Sequence, residues 1–338
     1  MRRVIWFEII PRRYIWVVRA VYFLVLAIAL PFATLTAYIA MTFDASSLID
    51  DRTKSAFPIS VDPMRRSIRS DNAFETFIAS DGTAEPIRSL LTDNPVTKWI
   101  GAVAQDSALS ITMPASKVVV IYAGQRKEEA ARDIGYVLGW SKADRDVFLT
   151  QVAAAYTDTI DGQFYPGSYI VPKKARPAIV AQMVIDRFAT EILGRYEGIE
   201  EPSVPLKDAL IIASLIEREA YNLEDGRIIS GVIWNRLFVD MALQLDATLQ
   251  YSRGTAASWW PTPRAADKAI NSPFNTYKNK GLPPEPISNP TRDTVLLALN
   301  PAITDCLFYF HQTRTKFHCS ETYEEHVQKL RSIYGQGK

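Results

Sequence analysis

Ala213-Ser214-Leu215-Ile216-Glu217-Arg218-Glu219-Ala220 closes an otherwise apolar run and leaves two carboxylates at its end. From Leu206 to Ala220 apolar residues recur at helical spacing, with Ala209, Ile212, Ile216 and Glu219 on one face at steps of three or four. A carboxyl group continuing an apolar stripe is partly desolvated, which raises its pKa toward the range of a general acid. Glu217 lies on the neighbouring line through Leu210 and Ser214 and is the less apolar of the two. The plain alternative is a last turn that reaches solvent, with Glu217, Arg218 and Glu219 hydrated, as glutamates mostly are.

Downstream of this helix, a second one is expected from Asp225 or Gly226 to Phe238, carrying Asn235 and Arg236. Leu243-Gln244-Leu245-Asp246-Ala247-Thr248-Leu249-Gln250-Tyr251 alternates polar and apolar side chains, as a strand or an extended groove wall would. Trp259-Trp260 and Asn271-Ser272-Pro273-Phe274-Asn275-Thr276-Tyr277 fall in loops, and Gly281-Leu282-Pro283-Pro284-Glu285-Pro286-Ile287 is a stiff proline-rich connector. A helix over Thr291 to Leu299, a buried strand Leu307-Phe308-Tyr309-Phe310 and a helix from Tyr323 to Tyr334 complete the chain.

Upstream, Val118-Val119-Val120-Ile121-Tyr122 is a β-branched strand ended by Ala123-Gly124. Helices over Lys127–Leu138 and from Lys142 or Ala143 to Ala155 follow, Ser141 being the candidate N-cap of the second. Strand, helix, helix is the order of a small two-layer module. An aromatic turn, Asp161 to Ile170, leads to a long helical pattern over Arg176 to Tyr196.

The 338 residues suffice for two domains or three small ones. Residues 1–19 carry five arginines against Glu8, a charge of +4 that leaves −3 for the rest of the +1 total. A slightly acidic body lacks the basic footprint of a nucleic-acid binder. Ala20 to Phe43 contains no charged side chain over 24 residues, long enough to cross a hydrocarbon core of about 30 Å as a helix, Pro31 notwithstanding. Arginines before it, and Asp44, Asp50 and Asp51 after it, predict a single-pass protein with a cytoplasmic N-terminus and an external body. A cleaved signal peptide is the alternative, but the apolar run exceeds the usual h-region of about 7–15 residues. Cys306 and Cys319 both lie in that body, as a disulfide or as two buried thiols. Together with His311, His318 and His326 they match no zinc-ligand spacing.

Phe164-Tyr165-Pro166 through Tyr169, Ala213 to Glu219, Asn235-Arg236-Leu237, Gln244 with Asp246 and Thr248, Ser272 to Tyr277, Gly281-Leu282-Pro283-Pro284, Asn300-Pro301-Ala302, Phe317 and Glu325-His326 form an ordered series. Over about residues 116–334 the chain thereby resembles the endolytic murein transglycosylases of the MltG, or YceG-like, family. The resemblance implies an α+β fold organised as a basic cytoplasmic N-terminus (1–19), a transmembrane helix (20–43), a membrane-proximal segment (44–115), a LysM-like module (116–155) and a mixed α/β catalytic domain (156–334). It implies an inner-membrane lyase whose periplasmic body cuts nascent peptidoglycan strands to 1,6-anhydro ends. Glu219 is then the catalytic residue and Glu217 a supporting or alternative one. Gln244, Asp246, Asn275, Thr276 and Tyr277 are the implied substrate-binding residues. Neither metal nor cofactor is required, and the implied partners are glycan strands, the membrane, and penicillin-binding proteins or other cell-wall synthases.

Each residue also has a plainer reading. Asn235 and Arg236 are equally suited to helix-to-loop hydrogen bonds, Asn275-Thr276 to capping a turn, and Asp246 to an ion pair with Arg236. Trp259, Trp260 and Phe274 suit either sugar stacking or the core. Three positions depart from the family pattern: Ala247 replaces a proline, Glu285 a glycine, and Val327 an asparagine. Glu285 is a bystander or a like charge raising the pKa of Glu219. A catalytically silent glycan-binding scaffold and a water-using muramidase pairing Glu219 with Glu217 or Glu285 are the competing functions.

Overall fold

The computed structural model describes residues 56–70, 72, 74, 76–77, 116–155 and 161–335. The expected cytoplasmic segment and transmembrane helix lie outside these residues, as does most of the segment 44–115. Among the described residues, no helix is long and apolar enough to cross a membrane.

Among the described residues, helices are combined with three two-stranded antiparallel sheets. β1 (Val61–Asp62) pairs with β2 (Ser67–Ile68) in a short hairpin. β3 (Ser116–Ile121) is followed by α1 (Lys127–Leu138) and α2 (Lys142–Ala154), with Ser141 accepting the Asp144 amide as the N-cap. β3 then pairs with β4 (Gly167–Pro172), Ser116 opposite Pro172 and Ile121 opposite Gly167. The partner strand therefore lies beyond the expected boundary at 155. One face of this sheet buries Val119, Ile121, Tyr169 and Val171 against Ala130, Ile134, Phe148 and Val152 of the two helices. α3 (Pro177–Phe188) covers the same core with Val180 and Val184, then runs through a wide turn, Ala189–Leu193, into Gly194–Glu197.

α4 (Leu206–Glu219) is the axis of the larger core. Ala209 through Ile216 are all buried, so the helix is enclosed on every side rather than along a stripe. It packs against α5 (Leu223–Phe238), α6 (Asp246–Arg253) and α7 (Arg292–Leu299). Ser214, a fully buried polar side chain in its middle, has full hydrogen-bond use. The hydroxyl donates to Ile211 O at 2.7 Å and accepts the Ile287 amide at 3.0 Å, while Ser288 Oγ donates to Ser214 O. The proline-rich connector is thus fastened to the middle of α4. β5 (Phe308–Thr313) and β6 (Lys316–Ser320) form a hairpin, and α8 (Tyr323–Tyr334) packs on it.

One reading changes and one open alternative is resolved. Residues 246–253 form a helix, not the expected strand or groove wall. Alternation ends at Asp246, after which Ala247, Thr248 and Tyr251 are buried at helical steps, with Thr248 Oγ1 bonded back to Leu245 O at 2.6 Å. Cys306 and Cys319 form a disulfide, with Cα atoms 5.7 Å apart, which closes the base of the β5–β6 hairpin and leaves neither sulfur as a thiolate ligand.

The small core and the large one are joined by buried polar contacts. Asp161, fully buried, accepts from the Lys127 amide at 2.9 Å, Lys127 Nζ at 2.8 Å and Tyr251 Oη at 2.7 Å. Asn289, also fully buried, accepts the Gly162 and Phe164 amides on Oδ1 and donates from Nδ2 to Gln125 O. Its own backbone pairs with Gly124 and Gln125. Three segments distant in sequence meet on one side chain.

Candidate active site

The two glutamates of α4 leave the helix end in different directions. Glu217 Oε2 accepts the Thr291 amide at 2.9 Å, Thr291 Oγ1 at 3.0 Å and Thr294 Oγ1 at 2.7 Å. Thr291 is the N-cap of α7, so Glu217 supplies a carboxylate to the amides and hydroxyls at that helix start. Arg218 lies over the Trp260 ring at 3.8 Å and reaches Gly124 O. Gly124 has φ +74°, and an added Cβ would meet Arg218 at 3.2 Å, so this turn needs glycine twice over.

Glu219 instead enters a cavity of about 260 Å³ lined by Arg236, Gln244, Asp246, Tyr277, Tyr309 and His311, among others. Tyr309 Oη donates to Glu219 Oε2 at 3.1 Å. Burial pushes the Glu219 pKa up, the Tyr309 hydrogen bond opposes it, and the negative charge of Asp246 raises it further. The Ala247 amide, in the first turn of α6, and Arg218 act in the lowering direction. The net result is a carboxyl group that keeps its proton above the ordinary glutamate range.

Asp246 begins α6 and is exposed to the cavity, where Tyr277 Oη donates to its Oδ1 at 2.7 Å. Burial, then this bond, push the Tyr277 phenol above its usual value, so it remains a donor. Gln244 is exposed at the rim with φ +53°, a left-handed backbone that costs a non-glycine residue of order 1 kcal/mol or more. Its amide donates to Thr276 O at 3.0 Å, which holds that conformation.

Asn275 and Thr276 are buried and lie outside the cavity lining. Asn275 Nδ2 donates to Lys268 O and Ile270 O, and its Oδ1 accepts the Tyr277 amide. Thr276 Oγ1 accepts the Leu245 amide at 3.0 Å. Their side-chain polar groups are engaged in shaping the loop that presents Gln244 and Tyr277, which is where the structure places these two implied substrate-binding residues.

Arg236 reaches the cavity wall but directs its guanidinium to Leu307 O, Ala242 O and Leu243 O; among the described residues no ion pair joins it to Asp246. Asn235 donates to Thr304 O and Cys306 O. Trp260 packs against the large core with Nε1 on Glu129, and Phe274 lies 4.7 Å from the Tyr251 ring. Glu285 is not among the lining residues. Tyr309 and His311 are the cavity residues that sequence reasoning missed. The signal was there: at i and i+2 of one strand they share a face, yet the aromatic run reads as core. His311 Nε2 sits 3.2 Å from Asp225 Oδ2 on α5.

The model of the YceG-like family matches residues 89–332. The chain belongs to the YceG-like family. Every cavity residue named above falls inside that match. Among YceG-like relatives, a protein from Streptococcus pneumoniae strain D39 named endolytic murein transglycosylase is 24% identical over 245 residues, covering 64% of this chain and 44% of its own length. One of the same name from Bacillus subtilis is 29% identical over 202 residues, covering 55% of each. The chain spans about half the length of these curated relatives. A crystal structure of a YceG-like protein from Listeria monocytogenes superposes with a TM-score of 0.55 at 28% identity, covering 69% of this chain and 81% of that one.

Proposed function

We propose that this protein is a lytic transglycosylase that cuts peptidoglycan glycan strands internally, with Glu219 as both acid and base. The observation that carries the proposal is one carboxyl group, held protonated by burial, in a cavity edged by sugar-compatible polar side chains. The names of the relatives support the substrate class.

Glu219 donates its proton to the β-1,4 glycosidic oxygen as the bond from C1 of N-acetylmuramic acid to that oxygen breaks, the electron pair leaving with the oxygen. The carboxylate then takes the proton of the muramic acid C6 hydroxyl, whose oxygen closes on C1 to give the 1,6-anhydro end. Proton count and charge balance without water. Asp246 is placed to favour the positive charge that develops at C1, and Gln244 and Tyr277 to orient the sugar. Asn275 and Thr276 act beneath them as loop supports. Cutting within strands would limit their length.

The expected span at 20–43 and the preceding arginines favour an inner-membrane anchor with a periplasmic body, and the Cys306–Cys319 disulfide is compatible with an oxidising compartment. Glycan strands, the membrane and cell-wall synthases such as penicillin-binding proteins are the partners this reading implies. The strand-helix-helix-strand unit ahead of the cavity is proposed as the LysM-like glycan-binding module.

A hydrolase remains a distinct second reading because Asp246 shares the cavity with Glu219. Pairing with Glu217 is disfavoured by its engagement at α7. Digestion of uncrosslinked glycan strands with mass spectrometry decides: anhydro-ended fragments support the transglycosylase, fragments heavier by one water the hydrolase. Strand binding with no fragments would leave a scaffold.

A further inference from the structure

We infer that Tyr309 is a positioning residue for Glu219: its hydroxyl, donating to Oε2, directs the transferable proton onto Oε1 and stabilises the carboxylate left when that proton departs. The inference rests on the proposed acid–base role of Glu219 and concerns how that role is tuned.

The hydroxyl has a fixed aim. Tyr309 pairs with Cys319 across the hairpin, its ring stacks on Phe317 at 5.7 Å, and Arg236 of α5 holds Leu307 O two residues upstream. The phenol holds its proton firmly, since burial and then the Glu219 charge push its pKa well above the usual value. It is therefore a donor, and the oxygen that accepts from it is the electron-rich, unprotonated one. Among the described residues no side chain donates to Oε1, so the acid proton is assigned there.

The same bond changes strength during the reaction. A phenol donating to a neutral carboxyl makes an ordinary hydrogen bond; to a carboxylate it makes a charge-assisted one, roughly twice as strong. A contact that tightens as the proton leaves favours the transition state over the ground state. Other groups facing Glu219 are Asp246 and Tyr277 from α6 and its following loop, the Ala247 amide, Arg218 on its own helix, Arg236 on α5 and His311 beside Tyr309, itself against Asp225. Asp246 opposes ionisation, so Tyr309 is the close side-chain donor that offsets both burial and that charge.

The test uses the full-length chain with 13C-labelled glutamate carboxyls, the Glu219 signal being the one lost in Glu219→Gln. In Tyr309→Phe the Glu219 titration midpoint is expected to rise. On uncrosslinked strands kcat should fall roughly 10- to 100-fold with KM nearly unchanged. The alkaline limb of the rate profile should move with the titration midpoint. Fluorotyrosine at 309, which keeps the fold and strengthens the donor, should lower the midpoint instead. Tyr334→Leu, which removes packing of α8 on Phe310 of the hairpin and leaves the Tyr309 ring contacts intact, should leave the midpoint in place. A midpoint unmoved by Tyr309→Phe and by fluorotyrosine, or moved equally by Tyr334→Leu, overturns the inference. A wild-type protein that releases no anhydro ends while the midpoint still responds would refute the transglycosylase reading and leave the Tyr309–Glu219 coupling standing.

Discussion

Glu217 caps a helix it does not belong to: its carboxylate accepts the Thr291 amide at 2.9 Å, at the first turn of α7. The contact ties the end of α4 to the start of α7 and orients the turn from which Glu219 departs. Glu217→Gln keeps an acceptor oxygen and loses the charge at a helix N-terminus. The expected cost is about 1 kcal/mol, with strand cutting reduced but present. A complete loss of cutting in a variant that melts like wild type would move the catalytic assignment to Glu217.

Glu219→Gln should abolish anhydro-end formation, a loss of at least about 10²-fold. Its effect on stability has the opposite sign. The pKa of Glu219 is raised in the folded protein, so the folded state binds a proton that the unfolded chain releases. Its contribution is complete below the ordinary glutamate value and is lost as pH rises through the folded one. Glutamine removes that titration. The variant should melt higher than wild type at pH 8, the two curves converging near pH 4, as calorimetry would read. Identical melting at both ends would argue that Glu219 is hydrated.

For the wild type, the same shift places the fall of kcat/KM with rising pH above the ordinary carboxylate range, because the donor is the protonated form. A rate profile measured on soluble strands checks this. A fall centred at an unshifted glutamate pKa would remove desolvation from the mechanism.

Asp161→Asn leaves Lys127 Nζ facing a neutral group in a buried site that also holds Tyr251 Oη. Breaking a buried pair of this kind costs about 3–5 kcal/mol. Urea titration should show a lowered midpoint. A change below about 1 kcal/mol, typical of exposed pairs, would mean that water reaches the network.

Replacing both Cys306 and Cys319 with serine removes a cross-link across a separation of 13 residues. The expected loss is about 2–4 kcal/mol, and reductant should mimic it in wild type but not in the variant. Because the hairpin carries Tyr309 and His311, strand cutting should fall with it.

Much of this was readable from residue order. The apolar spacing of α4 pointed to Glu219, but the structure encloses the helix on every side, and what separates Glu219 from Glu217 is their partners, Tyr309 for one and the start of α7 for the other. Helices α1, α2 and α7 announced themselves through periodicity, with Ser141 legible as the cap of α2. The 243–251 segment misled because three alternating residues precede a helix start, and alternation that short carries little weight against the packing of Ala247, Thr248 and Tyr251. Asn275 and Thr276 look like ligand-binding residues by type; that their polar atoms are used up by Ile270, Lys268 and Leu245 is a fact of loop closure. The Tyr309–Glu219 bond spans ninety residues of sequence, a distance no local pattern encodes.

Asn289 gathers Gly162, Phe164 and Gln125 on a single amide group. It is a weld between two cores that could otherwise have met at a hinge. With the sheet unit and the cavity sharing one frame, the distance between them becomes a constant of the fold rather than a matter of thermal chance.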